Sequence, residues 1–358
     1  MPRGLIKTGI ASALHWTGAD NLFAAGRKNL PLIIGYHRVV EDFRINAARS
    51  IAPSLIAART LERHLDWIGR RFAFITLDEL AAWLQGTRQF DRPVAAITFD
   101  DGYSDVYHHA FPILKRKGIP AAVFVVTDLI STPHLQIHDQ LYLLLASAIS
   151  AWRPPRRRLV QLLLGLEMPP PLLKKVSMAA GDPFRVMRVL FTTLSQAEIH
   201  RVIETLRAEV EVSENAMKEL RSLSWEMLGE MSRMGVTVGS HTRTHALLTN
   251  ETWQKVLDET EGSRQAVEQR LGMTVAHFAY PDGCFNAAAV RAVAAAGYRC
   301  AYTTCGHRDV DHPALTMPRR VLWENSCLDA FGRFSSASMS CQVNGVFDFV
   351  TQCGKDHG

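Results

Sequence analysis

Pro93-Val94-Ala95-Ala96-Ile97-Thr98-Phe99-Asp100-Asp101-Gly102 is the stretch that decides the fold. It is a short, nearly continuous apolar run of strand-favouring residues, and a strand without polar alternation is one buried on both faces, as in a parallel sheet. Two carboxylates stand at its C-terminal end. Consecutive side chains leave a strand on opposite sides, but a turn at Gly102 lets the pair diverge around one small site. Read alone, Asp-Asp-Gly is equally a turn whose carboxylates cap a helix starting near Ser104.

Similar runs recur at 31–36, 120–126, 236–240, 275–280 and 299–304, separated by helix-period patterns such as 57–70, 105–117, 252–271 and 287–296. This alternation predicts βα units around a parallel sheet. Between 137 and 222 the pattern changes to helices without strands, at 139–150, 157–166, 184–194 and 196–210. The expected division is an N-terminal helical segment (1–30), a barrel built from 31–136 and 223–335, an α-helical insertion (137–222) and a C-terminal tail (336–358). An insertion at a strand's C-terminal end overhangs the site there.

The run at 236–240 leads into Ser240-His241-Thr242-Arg243-Thr244-His245. Its histidines are four residues apart, the separation that sets two imidazoles side by side on one helical turn. Imidazole nitrogens and a carboxylate oxygen are standard ligands for zinc or a similar divalent ion, and three protein ligands leave a position open for water. Asp101, His241 and His245 supply that set and leave Asp100 free to move protons. The combination points to metal-assisted hydrolysis. His37, Asp100, Asp101, His241 and Tyr280 all fall at strand C-terminal ends, the face on which parallel barrels gather their active sites. No serine lies in a Gly-x-Ser-x-Gly elbow, which argues against a serine nucleophile.

Thr98-Phe99-Asp100-Asp101-Gly102, the His241/His245 motif and Phe278-Ala279-Tyr280-Pro281-Asp282-Gly283 together resemble the polysaccharide deacetylase family with the NodB homology domain, carbohydrate esterase family 4. The resemblance runs from Pro31 to about Val321, apart from the insertion. It implies a distorted parallel (β/α)7-type barrel that removes N-acetyl groups from an amino sugar. Asp100 is then the general base, and Asp101, His241 and His245 bind one divalent metal ion, Zn2+ first, with Co2+ or Ni2+ as alternatives. In one branch the catalytic acid is the histidine of an early Tyr-His-Arg, here Tyr36-His37-Arg38, and no Leu-x-His of the usual kind occurs late in this chain.

The third motif departs from the family's pattern. Many members carry an arginine where Ala279 stands and an aromatic residue where Asp282 stands. In the branch resembled, an arginine after a late Leu-x-x-Pro takes over, and Leu315-Thr316-Met317-Pro318-Arg319 puts Arg319 in position to orient Asp100. Tyr280, Pro281 and Asp282 are expected at the substrate edge, with a backbone N–H to stabilise the oxyanion. The Asp282 carboxylate adds negative charge where negative charge must be stabilised. The implied partner is an N-acetylated glycan or glycolipid of surface-glycan synthesis. A non-catalytic carbohydrate-binding barrel, or a hydrolase of another amide such as a ureide, are the alternatives.

The 358 residues carry a formal charge of +5 and are 47% hydrophobic, enough for one large α/β unit with a sizeable core. Basic residues scatter except at Trp152-Arg153-Pro154-Pro155-Arg156-Arg157-Arg158, which reads as a solvated helix start or as attraction to anionic lipid or an acidic glycan. Nothing in the pattern serves base readout of nucleic acid. Residues 5–25 are helical, but His15, Trp16, Asp20 and Asn21 interrupt them, so neither a spanning helix nor a secretory signal fits. The expectation is a docked or interfacial helix on a cytoplasmic protein, with peripheral membrane contact. Six cysteines, all from Cys284 onward and without paired Cys-x-x-Cys spacing, read as reduced thiols.

Overall fold

The computed structural model describes residues 2–20 and 30–349. Its strands are β1 (Leu32–Tyr36), β2 (Arg38–Val40), β3 (Leu55–Ala57), β4 (Ala73–Phe74), β5 (Val94–Phe99), β6 (Ala121–Val125), β7 (Thr237–Ser240), β8 (His277–Ala279), β9 (Cys300–Thr303), β10 (Met317–Pro318) and β11 (Arg320–Val321). All but β2 and β3 join one parallel sheet in the order β10-β9-β8-β7-β6-β5-β1-β11, with β4 beside the start of β5. Its two ends are separated in sequence only by Arg319. The extended stretch 317–321 therefore touches β9 on one side and β1 on the other, through Arg319 N–H to Thr303 O (2.8 Å) and Leu322 N–H to Gly35 O (2.9 Å). That bridge makes the sheet a nearly closed parallel barrel.

The double burial of the strands explains their apolar spelling. Ala95, Ile97 and Phe99 of β5 face outward and pack with Tyr36, Val123, Val125 and Phe278 beneath the surrounding helices. Ala96 faces inward with Ile33, Ala122, Phe124, Ala279, Tyr302 and Met317. The bottom of the barrel is stopped by the helix Leu77–Leu84, whose Thr76/Glu79 capping box fixes its start and whose Leu77, Leu80 and Ala81 join the inner cluster. With that end filled, the open end is the one where the strands finish.

Over the open end stands a stack of helices: Ile137–Ala151, Pro155–Gly165, Pro170–Ala179, Pro183–Phe191, Gln196–Glu209 and the short Glu214–Lys218. They have a core of their own, including Leu141, Leu145, Leu163, Val176, Leu190 and Val202, which reaches barrel loops at Ile51, Leu247 and Cys284. The helix Pro170–Ala179 has no counterpart in the sequence reading, because its double proline start resembles a loop. Residues 336–344, expected to be tail, form the helix Ser336–Asn344. It packs on the N-terminal helix Pro2–Thr17, and Ser340 Oγ donates to Asp20, just past the end of that helix, at 2.6 Å. Residues 21–25 of the expected N-terminal helix lie outside the described residues. Among the described residues, no helix is long and apolar enough to cross a membrane.

Candidate active site

Sheet geometry separates the two aspartates. Asp100 is still in the ladder, donating its N–H to Tyr36 O at 2.9 Å, so its side chain points the same way as Thr98, into the barrel. Inside, Arg319 meets it with two hydrogen bonds, Nη1 to Oδ1 at 2.7 Å and Nη2 to Oδ2 at 2.6 Å, and also holds Thr98 Oγ1 at 3.0 Å. Asp101 would point outward had the strand continued. Instead its φ is 69°, and Gly102 follows at 68°, which swings its carboxylate back over the barrel mouth. A non-glycine residue in the left-handed region is a costly conformation, and here it turns two neighbouring carboxylates in different directions.

Both groups are buried, at 3% and 2% exposure, so their charges need explicit support. Burial pushes the Asp100 carboxyl up, but the Arg319 charge and hydrogen bonds, aided by His241 and His37, outweigh it and hold the group below its ordinary value. Burial acts on Asp101 in the same sense. The adjacent His241 and His245, with His37, outweigh it and hold that carboxyl well below the usual range.

The histidine motif is not helical. After β7 the chain forms a loop in which Thr242 (φ 70°) and His245 (φ 61°) are left-handed. The four-residue separation brings the imidazoles together, ring centroids 5.0 Å apart, through this loop and not through a helical turn. Its shape is set by Thr242 Oγ1, which accepts from His245 N–H at 2.9 Å, and by Glu259, which accepts from the N–H groups of Arg243 (2.7 Å) and Thr244 (2.9 Å). Glu259 is completely buried on the helix Trp253–Leu271. Sequence reasoning missed it, although a glutamate on the buried face of an amphipathic helix, in register with Val256, Thr260 and Val267, is itself a signal of a polar task.

The resulting cluster fits a cation. His241 donates Nδ1–H to Ala279 O at 2.7 Å, so its Nε2 carries a lone pair. That atom lies 3.4 Å from Asp101 Oδ1, and His245 Nε2 lies 3.2 Å from the same oxygen. Asp101 Oδ1 is buried without a hydrogen-bond donor. Electron pairs converging at such distances repel unless a positive ion stands between them. Asp101, His241 and His245 have ligand atoms within 4.8 Å of one another and form the metal-capable group found among the described residues.

His37 follows β1 at the same end of the barrel, half-buried, close enough for its charge to act on both aspartates. The third motif lies at the end of β8 as expected, with two corrections. Tyr280 N–H is committed to Tyr302 O at 3.0 Å and Pro281 has no N–H, so neither supplies an oxyanion donor. The Asp282 carboxylate is not an uncompensated negative charge. Arg188, from the helix Pro183–Phe191, grips it at 2.7 and 2.9 Å. Asp282 is left-handed at φ 55°, and a Cβ on the following Gly283 would collide with the backbone N of Thr304, so glycine is required there.

Two more residues stand at the site that no motif announced. His138, on the first helix above the barrel, packs edge-on against His245 at a centroid distance of 4.8 Å. Burial drives its pKa down to about 3, and the same burial raises that of neighbouring Asp139 to about 7. A histidine and an aspartate opening an otherwise apolar helix were the available cue.

Residues 87–155 and 185–301, just over half the chain, match the family profile described as polysaccharide deacetylase. The chain belongs to the polysaccharide deacetylase family. The poly-β-1,6-N-acetyl-D-glucosamine N-deacetylase of Staphylococcus epidermidis is 29% identical over 109 residues, 28% of this chain and 37% of that protein. The chain spans about a third of the length of the curated relatives it matches. In structure it is similar to the Streptococcus pyogenes deacetylase PplD (TM-score 0.53, 17% identity, 83% of this chain and 93% of that one). It is equally similar to IcaB from Ammonifex degensii (TM-score 0.52, 17% identity, 87% and 96%). These two likenesses concern the fold, and they place the deacetylase barrel under the sheet described above.

Proposed function

We propose that this member of the family is a metal-dependent N-deacetylase of an N-acetylated amino sugar carried on a polysaccharide, oligosaccharide or glycolipid. The observation that carries the reading is the division of labour at the end of β5: Asp101 turned toward two imidazoles, and Asp100 beside it held ionised by Arg319. Asp101, His241 and His245 would hold the ion, with Zn2+ the best match to two imidazoles and a carboxylate, and Co2+ or Ni2+ as substitutes. When bound, the ion supplies Lewis-acid polarisation of a carbonyl and a water acidified from its bulk pKa toward about 7.

Asp100 takes up the proton released as water attacks the acetyl carbonyl. Its depressed pKa keeps it ionised across the neutral range, and the Arg319 fork keeps it aimed. Within the third motif the oxyanion role narrows to the backbone N–H of Asp282, whose own carboxylate is turned to Arg188. His37, on the rim, gives a proton to the departing amine. No acyl-enzyme is required. The helices over residues 137–222 form the overhanging wall of this site, because His138 and Arg188 both descend from them.

An acetate-release screen tests the reading. Purified protein loaded with Zn2+, Co2+ or Ni2+ is offered N-acetylglucosamine oligomers, surface polysaccharides and lipid-linked N-acetyl sugars. Metal-dependent acetate release from one of these classes is expected, abolished by a chelator. Acetate release that survives complete metal removal, or hydrolysis confined to a ureide assayed in parallel by ammonia release, contradicts it.

A further inference from the structure

The start of the helix Ile137–Ala151 holds Asp101 at two places. Gln136, at the N-cap and fully buried, donates Nε2–H to the Asp101 backbone carbonyl at 2.8 Å, the carbonyl of the residue at φ 69°. Two residues on, His138 Nε2 lies 4.0 Å from Asp101 Oδ2. The other oxygen, Oδ1, is the one that faces His241 and His245. His138 thus faces the carboxylate oxygen that His241 and His245 do not. It also leans edge-on against the ring of His245, with Phe191 closing the stack at 6.2 Å from His138 and 5.8 Å from His245.

His138 is itself held. Tyr103 donates its hydroxyl hydrogen to Asp139 at 2.6 Å, so in its 3.0 Å contact with His138 Nε2 the phenol oxygen accepts and the imidazole carries its proton on Nε2. Tyr103 is in turn covered by the guanidinium of Arg38 at 5.3 Å, and Arg38 is fixed by Asp105 at 2.8 Å. The chain Asp105–Arg38–Tyr103–His138 runs from the barrel wall to the carboxylate that faces the metal site. His138 is outside the three-residue group whose ligand atoms lie mutually within 4.8 Å, so it is not one of the ligands.

We propose that His138 is a positioning residue of the metal centre, presented by the helical layer: held by Tyr103, it stands 4.0 Å from Asp101 Oδ2 and backs the carboxylate so that Oδ1 is the oxygen turned to His241 and His245, and its ring fixes the orientation of His245. Three protein ligands would leave a coordination position open for water, which is what hydrolysis needs. This rests on the proposed metal reading. It adds that the helices above the barrel are part of the metal centre as well as a wall for substrate.

The test reads the metal and not turnover. Apo protein and its H138F, H138Q and Y103F variants are titrated with Co2+, recording affinity and the visible d–d spectrum, with thermal unfolding of each apo form as the folding control. Outer supports of metal ligands are worth roughly 10–100-fold in affinity. H138F is expected to bind Co2+ about 10–100-fold more weakly with an altered band shape, Y103F to show a smaller loss, and H138Q, whose amide can replace the Nε2–H, to recover much of it. An unaltered affinity and spectrum in a folded H138F would overturn the proposal while leaving the metal centre standing. Failure of the wild type to bind Co2+ would overturn both.

Discussion

The barrel rim and the helical layer above it meet at the same few ångströms, yet they are built on different principles. At the rim, each functional side chain is placed by the sheet: strand pairing sets Asp100 inward, the left-handed turn brings Asp101 back, and the closing stretch 317–321 delivers Arg319 between two strands. In the helical layer, each contribution is a single long-range contact: Gln136 to the Asp101 carbonyl, His138 to its carboxylate, Arg188 to Asp282. On the proposed reading the rim supplies the chemistry, and the layer supplies its alignment. Removing a rim group should abolish function, whereas removing a contact from the layer should only degrade it.

The largest expected break comes from the ligands. Asp101→Ala or His241→Ala should leave bound metal below about a tenth of wild type and acetate release at background, because three protein ligands leave no redundancy. Metal analysis of the purified variants checks this. A variant that keeps its ion would move the site elsewhere. Next comes Arg319→Met, which leaves a buried carboxylate unpaired and should destabilise the fold by about 3–5 kcal/mol. The sign of its pH effect is definite. Arg319 depresses the Asp100 pKa, so its removal raises that pKa, and the acidic limb of kcat/KM must shift to higher pH. A limb that stays in place would separate Asp100 from the rate.

How much of this could be read from the sequence follows the same division. Asp100, Asp101, His241, His245 and Arg319 were legible because each belongs to a short contiguous motif at a strand end, and strand ends of a parallel barrel share one face. The histidine loop was misjudged in form: a four-residue loop with Thr242 and His245 left-handed and one helical turn both bring the two imidazoles together, and the spacing alone does not tell them apart. His138, Glu259 and Arg188 stayed hidden because their partners are remote, Arg188 lying 94 residues from Asp282. No local pattern encodes such a contact. Asp282 looked like a defect for that reason, since the charge that neutralises it arrives from another layer.

Arg188→Met sharpens the comparison from the side of the helices. The pair is partly open to solvent, with Arg188 at 38% and Asp282 at 21%, so the expected effect is on the order of tenfold, mainly in KM, with metal content unchanged. An equal fall in kcat and in bound metal would mean that Arg188 supports the rim directly. The smallest effect lies away from both regions. His64 is buried on the helix Ala58–Gly69 beneath the barrel wall, and burial lowers its pKa from 6.5 to about 3. The unfolded chain binds this proton below pH 6.5 while the folded one refuses it until about pH 3, so stability is lost as pH falls through that window. His64→Asn should reduce the slope of stability against pH there by up to about 1.4 kcal/mol per pH unit, without altering turnover at neutral pH. Denaturant unfolding at several pH values reads it.

The most direct measurement pairs metal content with turnover in Asp100→Asn. Asparagine keeps the shape of the side chain and removes its basicity, so the variant should hold one divalent ion per chain, as the wild type does, while acetate release falls by about 10²–10⁴-fold. Turnover near wild type, or loss of the ion together with turnover, would contradict the division of the two aspartates into base and ligand.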